Sequence, residues 1–341
     1  MMIISSGWDT PRFNPALEKP CQLCYTGSKR HKKGCVRVVF SKTAKISAGF
    51  KMALGALAVG LALRVIVMLF FYDYDTGFYT DGGLTAWLSL LLPGLAAGGA
   101  AWMFCRTGQS YGRYVRKKHG LPAILAFLSG FVLLQEAVRQ AMDFQSFLKT
   151  GLSQYDAAMQ PLIFWFFVAA SLVFGLVQLV VGAALTTGRN PFRGAPLLYM
   201  AGVLWGISYL IVVYVFYAKS SCFVENFFSV VGAAALLVAL LYACKLCSGV
   251  DDAGAAQRLF VAGGFLLAWE IPYLAANLLT RLLGKSYSGE QPAGYQLSAL
   301  CAAAFLGVFL WTAYRDSREA WETEPQAEPE AQEPPADPEE A

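Results

Sequence analysis

The sequence predicts an all-α integral membrane protein of about eight transmembrane helices, arranged in hairpin pairs with both termini in the cytoplasm. Three observations carry this. Eight apolar runs, each long enough to cross a bilayer, are spaced along the chain. The connections between them alternate between basic-rich and basic-poor. The composition is 56% hydrophobic and only 15% charged, whereas a soluble domain carries about a quarter charged residues.

Crossing about 30 Å of hydrocarbon at about 1.5 Å per residue takes roughly 20 apolar residues. The runs at 50–72, 84–105, 121–142, 161–184, 196–217, 226–247, 257–280 and 296–314 meet that length. Transmembrane β-strands would alternate inward and outward residues over roughly ten positions; these runs are longer and do not alternate. Helices satisfy their own backbone hydrogen bonds in lipid, so helices are the expectation.

Orientation follows from the basic residues, which are retained on the cytoplasmic side. Lys29, Arg30, Lys32, Lys33, Arg37, Lys42 and Lys45 precede the first run. Arg106, Arg113, Arg116, Lys117 and Lys118 follow the second. Arg189 and Arg193, Lys245 and Arg258, and Arg315 and Arg318 continue the same side. The alternate connections hold no basic residue at 73–83, then Lys149, Lys219, and finally Arg281 with Lys285. The expected location is the plasma (cytoplasmic) membrane, with the N-terminus and C-terminus inside. The first apolar run starts near residue 50 and is long enough to span, so no cleaved signal peptide is expected.

The chain divides accordingly into a basic cytoplasmic lead at 1–49, an eight-span helical membrane domain at 50–315 and an acidic Pro/Glu/Ala tail at 316–341. The tail has too little apolar surface to offset the entropy of ordering, so it is expected to be disordered. Thr107-Gly108, Thr187-Gly188 and Ser248-Gly249 recur at the ends of the second, fourth and sixth runs. They read either as independent glycine C-caps or as traces of a hairpin repeat of the kind transporters use. Odd-numbered runs hold most of the polar residues, which places them towards an interior and the even-numbered ones towards lipid.

An ionisable residue inside a span costs about 2.5–3.5 kcal/mol on the insertion scale unless it is paired or wet. Arg64 lies in the first run, Glu136 and Arg139 in the third, and Glu270 near the centre of the seventh. Glu136 and Arg139 are three apart and share a helix face, so they are expected to pair. Arg64 and Glu270 then remain as partners from different spans. Pro272 cannot donate a backbone hydrogen bond, which frees a carbonyl near Ala268 beside Glu270. Tyr273 and Asn277 continue that helix outward. Together these six residues form a candidate ion or solute path, with interhelical glue as the alternative.

The first outer connection reads Tyr72-Asp-Tyr-Asp-Thr-Gly-Phe-Tyr79. Asp73, Asp75 and Asp81 fall short of a calcium-loop spacing, and the tyrosines fit an interfacial aromatic belt. With the Arg-bearing first run, this stretch resembles a pattern in uncharacterised multi-pass membrane proteins of clostridial-type Gram-positive bacteria. The resemblance covers residues 45–105. It implies a bacterial membrane protein and assigns no activity or site residue.

Cys21, Cys24, His31 and Cys35 form a possible zinc site at knuckle-like spacing. The same segment also reads as a reduced, unstructured lead or as an over-extended start. A disulfide framework is not expected, because most cysteines fall near the cytoplasmic face. The basic run Lys29–Lys33 suits anionic lipid headgroups and lacks the aromatic interleaving of a nucleic-acid surface. No phosphate-binding loop, dinucleotide fingerprint, His-Glu-x-x-His or Gly-x-Ser-x-Gly element occurs. An enzyme is therefore the less favoured class. The leading expectation is a transport or permease-like role for a small solute or ion. The alternative is a non-enzymatic membrane scaffold or sensor acting through its cytoplasmic ends; an intramembrane enzyme acting on lipid is a third class. Beyond the bilayer, no protein partner is legible.

Overall fold

A computed structural model describes residues 29–106, 118–150, 161–189, 191–192, 195–218, 223–248, 252–287 and 290–323. Nine α-helices occupy most of these residues: α1 (Lys29–Phe70), α2 (Leu84–Cys105), α3 (Gly120–Thr150), α4 (Pro161–Thr187), α5 (Met200–Val212), α6 (Phe223–Ser248), α7 (Asp252–Phe265), α8 (Ile271–Leu282) and α9 (Ala293–Thr323). A 3-10 turn, Pro196–Tyr199, leads into α5, and π turns at Val213–Tyr217 and Leu266–Glu270 extend α5 and join α7 to α8. Contacts divide the chain into Met1–Lys42, whose described part is the opening of α1, and Thr43–Ala341, which holds all eight membrane-length spans.

Among the described residues, eight helical stretches are long and apolar enough to cross a membrane: Ser47–Phe70, Leu84–Cys105, Gly120–Ser146, Pro161–Thr187, Pro196–Tyr217, Val224–Ser248, Gly254–Leu282 and Ala293–Asp316. Their outward faces require lipid. Leu88, Leu91, Leu92 and Leu95 on α2, and Ile124, Leu128 and Phe131 on α3, are all exposed. In water, apolar surface left uncovered forgoes about 25 cal/mol per Å², and soluble monomers seldom tolerate so large a patch. The chain is a multi-pass helical membrane protein.

Successive spans run in opposite directions. At one end, called here the cap end, Arg64, the 71–83 connection, the start of α6 and the 283–292 connection meet. At the opposite, basal end, Phe50 of α1 packs edge-on against Phe104 of α2 and Phe260 of α7. His119 before α3 there brings Nε2 2.6 Å from Asp316 Oδ2 of α9, and its backbone N–H donates to Leu185 O of α4.

Packing is not confined to hairpin pairs. Helices α3 and α4 make the most extensive contact, but α4–α5, α5–α6, α6–α7, α3–α9 and α2–α7 also pack. Gly130 and Gly175 bring α3 and α4 together: a Cβ on Gly130 would stand 2.9 Å from Gly175 O, and one on Gly175 3.1 Å from Gly130 O. Small residues permit such close approach where lipid supplies no hydrophobic drive between helices.

Burial follows the expected division into inward odd and outward even spans only weakly, each odd span being at least as buried as the even one after it. The seventh span is 78% buried, but the eighth follows at 67%, and the first is as exposed as the second, both at 28% buried. Residues 29–49 of the expected lead and 316–323 of the expected tail are helical; the rest of both lies outside the described residues. Of the three glycine signatures, only Gly188 is described. It has φ 71° and closes α4 with Arg189 N–H donating to Ala184 O at 3.2 Å, a six-to-one bond characteristic of a left-handed C-cap.

Candidate functional site: charges and polar groups inside the bundle

The seventh span positions the deepest charge, and its local chemistry explains the shape. Pro272 has no N–H to continue the α-helical ladder. The helix widens by one π turn just before it, in which Ile271 N–H bonds Leu266 O. Such single π turns cluster at functional sites. Glu270 is the last residue of that turn, 1% exposed, with neither carboxyl oxygen hydrogen-bonded. It points at Gly232 of α6, where a methyl group would overlap the carboxyl. Gly60 of α1 approaches from another side, where a Cβ would stand 3.5 Å from Pro272.

Asn277 follows seven residues later, on the same helix face and about 10 Å further towards the cap end. It is fully buried, and neither its amide nitrogen nor its amide oxygen has a partner. The phenols of Tyr209 and Tyr273 lie within electrostatic reach of Glu270. Tyr209 donates to Gln291 Oε1 at 2.9 Å, and Gln291 donates from Nε2 to Ser229 of α6. Gln291 thus carries the 283–292 connection into the bundle. Arg281 donates to its carbonyl at 3.0 Å, as does Gln296.

Arg64 is engaged elsewhere. It is 3% exposed and forms an ion pair with Glu225 in the first turn of α6. Its Nη1 also donates to the Tyr79 hydroxyl at 3.1 Å, and that hydroxyl in turn donates to Glu225 Oε1. The rings of Phe228 and Tyr273 flank the guanidinium at 5.0 and 5.3 Å. Burial in this cluster pushes the Tyr79 phenol well above its ordinary range.

Tyr79 is held by the fold of its connection. Asp73 N–H donates to Phe78 O at 3.0 Å, and Thr80 N–H to Phe71 O at 2.9 Å. The loop acids serve the loop itself. Asp73 accepts from the Thr76 hydroxyl at 2.7 Å and from Asp75 N–H at 3.0 Å, and the Thr76 bond leads in holding its carboxyl below the usual range. Asp81 accepts from Thr85 N–H at 2.7 Å and Gly83 N–H at 3.2 Å, opening α2. Among the described residues no three His, Cys, Asp or Glu side chains group as metal ligands. Of the possible zinc site, Cys21 and Cys24 lie outside the described residues, as do the side chains of His31 and Cys35.

Glu136 stands apart from these groups. It is 4% exposed and abuts Gly294 at the start of α9, with Gln140 Nε2 at 3.5 Å. Arg139 is exposed, and no ion pair joins it to Glu136 among the described residues. The expected partnerships are therefore redrawn: Arg64 pairs with Glu225 rather than Glu270, and Arg139 turns outward. Tyr273 joins both centres, donating its hydroxyl to Glu225 O at 3.3 Å while lying near Glu270.

Glu225, Tyr209, Gln291 and Gly232 carry no assignment in the sequence, where Tyr79 reads as a belt tyrosine. Glu225 alone carried a readable signal, as the one acidic residue in the 218–226 connection. No family model matches the chain, and no curated protein or solved structure is similar to it.

Proposed function

We propose that this protein is a transport or permease-like membrane protein in which Glu270 binds a small cation or polar solute partway across the bilayer. One observation carries this reading: Glu270 is fully buried in the most buried span, and both its oxygens lack a hydrogen-bond partner. Interhelical glue would need such a partner. The neighbouring charge that could have supplied one, Arg64, is neutralised by Glu225. An unpaired ionised carboxyl at this depth is costly, and a bound proton, cation or cationic solute removes that cost. Asn277, on the same face, adds an unpartnered carbonyl oxygen and amide.

The π turn and Pro272 give the seventh span a place to bend beside the site. The Arg64–Glu225–Tyr79 cluster and the Gln291 plug close the site from the cap end. In this reading both termini lie in the cytoplasm and the basal end faces inward, following the basic connections.

The test is thermal unfolding in lipid nanodiscs against a panel of ions and small metabolites, with wild type and Glu270→Gln side by side. Any ligand bound only by the folded state raises its stability. The expected result is a ligand-specific rise that Glu270→Gln abolishes while leaving the ligand-free midpoint in place. A rise equal in both proteins, or none with any ligand, overturns the assignment of Glu270.

A further inference from the structure

A second feature lies at the basal end, away from Glu270. Helices α4, α5, α6 and α9 line a cavity that opens to the surface. Its wall is apolar apart from the Gln178 amide, the Tyr199 phenol and the thiols of Cys244 and Cys247, and Arg189 stands at its edge.

Dimensions and charge point to one kind of occupant. On α4 the lining runs from Phe174 to Leu185 and ends at Arg189, just beyond the helix. At about 1.5 Å per residue the helical part, Phe174–Leu185, spans roughly 16 Å, compared with about 15 Å for the hydrocarbon of one leaflet. The cavity is therefore deep enough for a lipid tail inserted along the membrane normal. Arg189 is exposed at the end of α4, at the level where a span leaves the hydrocarbon for the headgroups. Its guanidinium presents a forked set of donors suited to phosphate.

We propose that this cavity holds one acyl chain of an anionic membrane lipid, with the lipid phosphate on Arg189. Ala243, on α6, lines the chamber, so a larger side chain there fills it. Arg189 is exposed, so its replacement leaves the packing of the bundle alone.

The experiment uses full-length protein in nanodiscs containing either phosphatidylglycerol or phosphatidylcholine with the same photoreactive diazirine tail. After irradiation, cross-linked peptides are mapped by mass spectrometry. The expected result is labelling of Val181, Leu240 or Phe305 that is several-fold stronger with the anionic probe. Arg189→Gln removes that preference. Ala243→Phe removes cavity labelling while the lipid-facing Leu176 and Leu162 are labelled as before, which also reports that the bundle is folded. Wild-type labelling confined to outward faces overturns the proposal. So does cavity labelling that is equal for both probes and unchanged in Arg189→Gln.

Discussion

Replacing Glu225 by Gln removes the charge that neutralises Arg64 while keeping the side-chain volume. Arg64 is 3% exposed and Glu225 1%, so water cannot take over the lost interaction. Neutralising one partner of a buried ion pair costs about 3–5 kcal/mol, because the other charge stays buried alone. Arg64 keeps the Tyr79 oxygen and two ring faces, and the Gln oxygen still accepts from Tyr79. The lower part of that range, about 3–4 kcal/mol, is therefore expected. Glu270→Gln breaks no hydrogen bond, so its cost should be clearly the smaller of the two. Reversible SDS unfolding in mixed micelles, followed by tryptophan fluorescence, measures both. The double variant Arg64→Met/Glu225→Met should recover most of the loss, since it leaves no lone charge behind. A Glu225→Gln cost below about 1 kcal/mol, the range of an exposed pair, refutes the reasoning, as do equal costs at positions 225 and 270.

Two further outcomes follow from single contacts. Gly232→Ala places a methyl group against the Glu270 carboxyl, and overpacking of this kind costs about 1–3 kcal/mol; the same unfolding assay should show the cost relieved by adding Glu270→Ala, and a purely additive double variant contradicts the contact. Glu290 sits in the 283–292 connection, where burial raises its carboxyl above the ordinary range against an opposing bond from Gln296. The folded protein then holds a proton that the unfolded chain has released, so this stabilising contribution is full below about pH 4.3 and is lost as pH rises through the raised value. Stability measured from pH 4 to 8 should fall less steeply for Glu290→Gln than for wild type; identical slopes remove Glu290 from the titration.

The spans were legible because membrane crossing depends on a local quantity, the length of an apolar run. The expected 84–105 coincides with Leu84–Cys105, and 161–184 falls inside Pro161–Thr187. Pro272 likewise marked the disturbance beside Glu270, since a missing N–H acts within its own helix. The partners of the charges were not legible. Arg64 and Glu225 are 161 residues apart, and Glu225 sits just before the run at 226–247, where it reads as part of a connection. Inside and outside of a membrane bundle are both apolar, so the polar content of a span is a poor guide to its position. The small residues Ala299, Ala302 and Ala303 of α9 are fully buried although nothing in their hydropathy separates them from lipid-facing positions. The Gln291 plug had no signal at all, because it lies in a short connection and depends on tertiary placement.

That plug also bears on the order in which the protein is completed. Tyr209 and Ser229 lie in the fifth and sixth spans and leave the ribosome well before Gln291, which joins them only when the last hairpin arrives. Until then a phenol and a hydroxyl inside the forming bundle face a gap, and a gap lined by polar groups takes up water. Chains ending before residue 291 therefore lack the contacts that tie Tyr209 and Ser229 together.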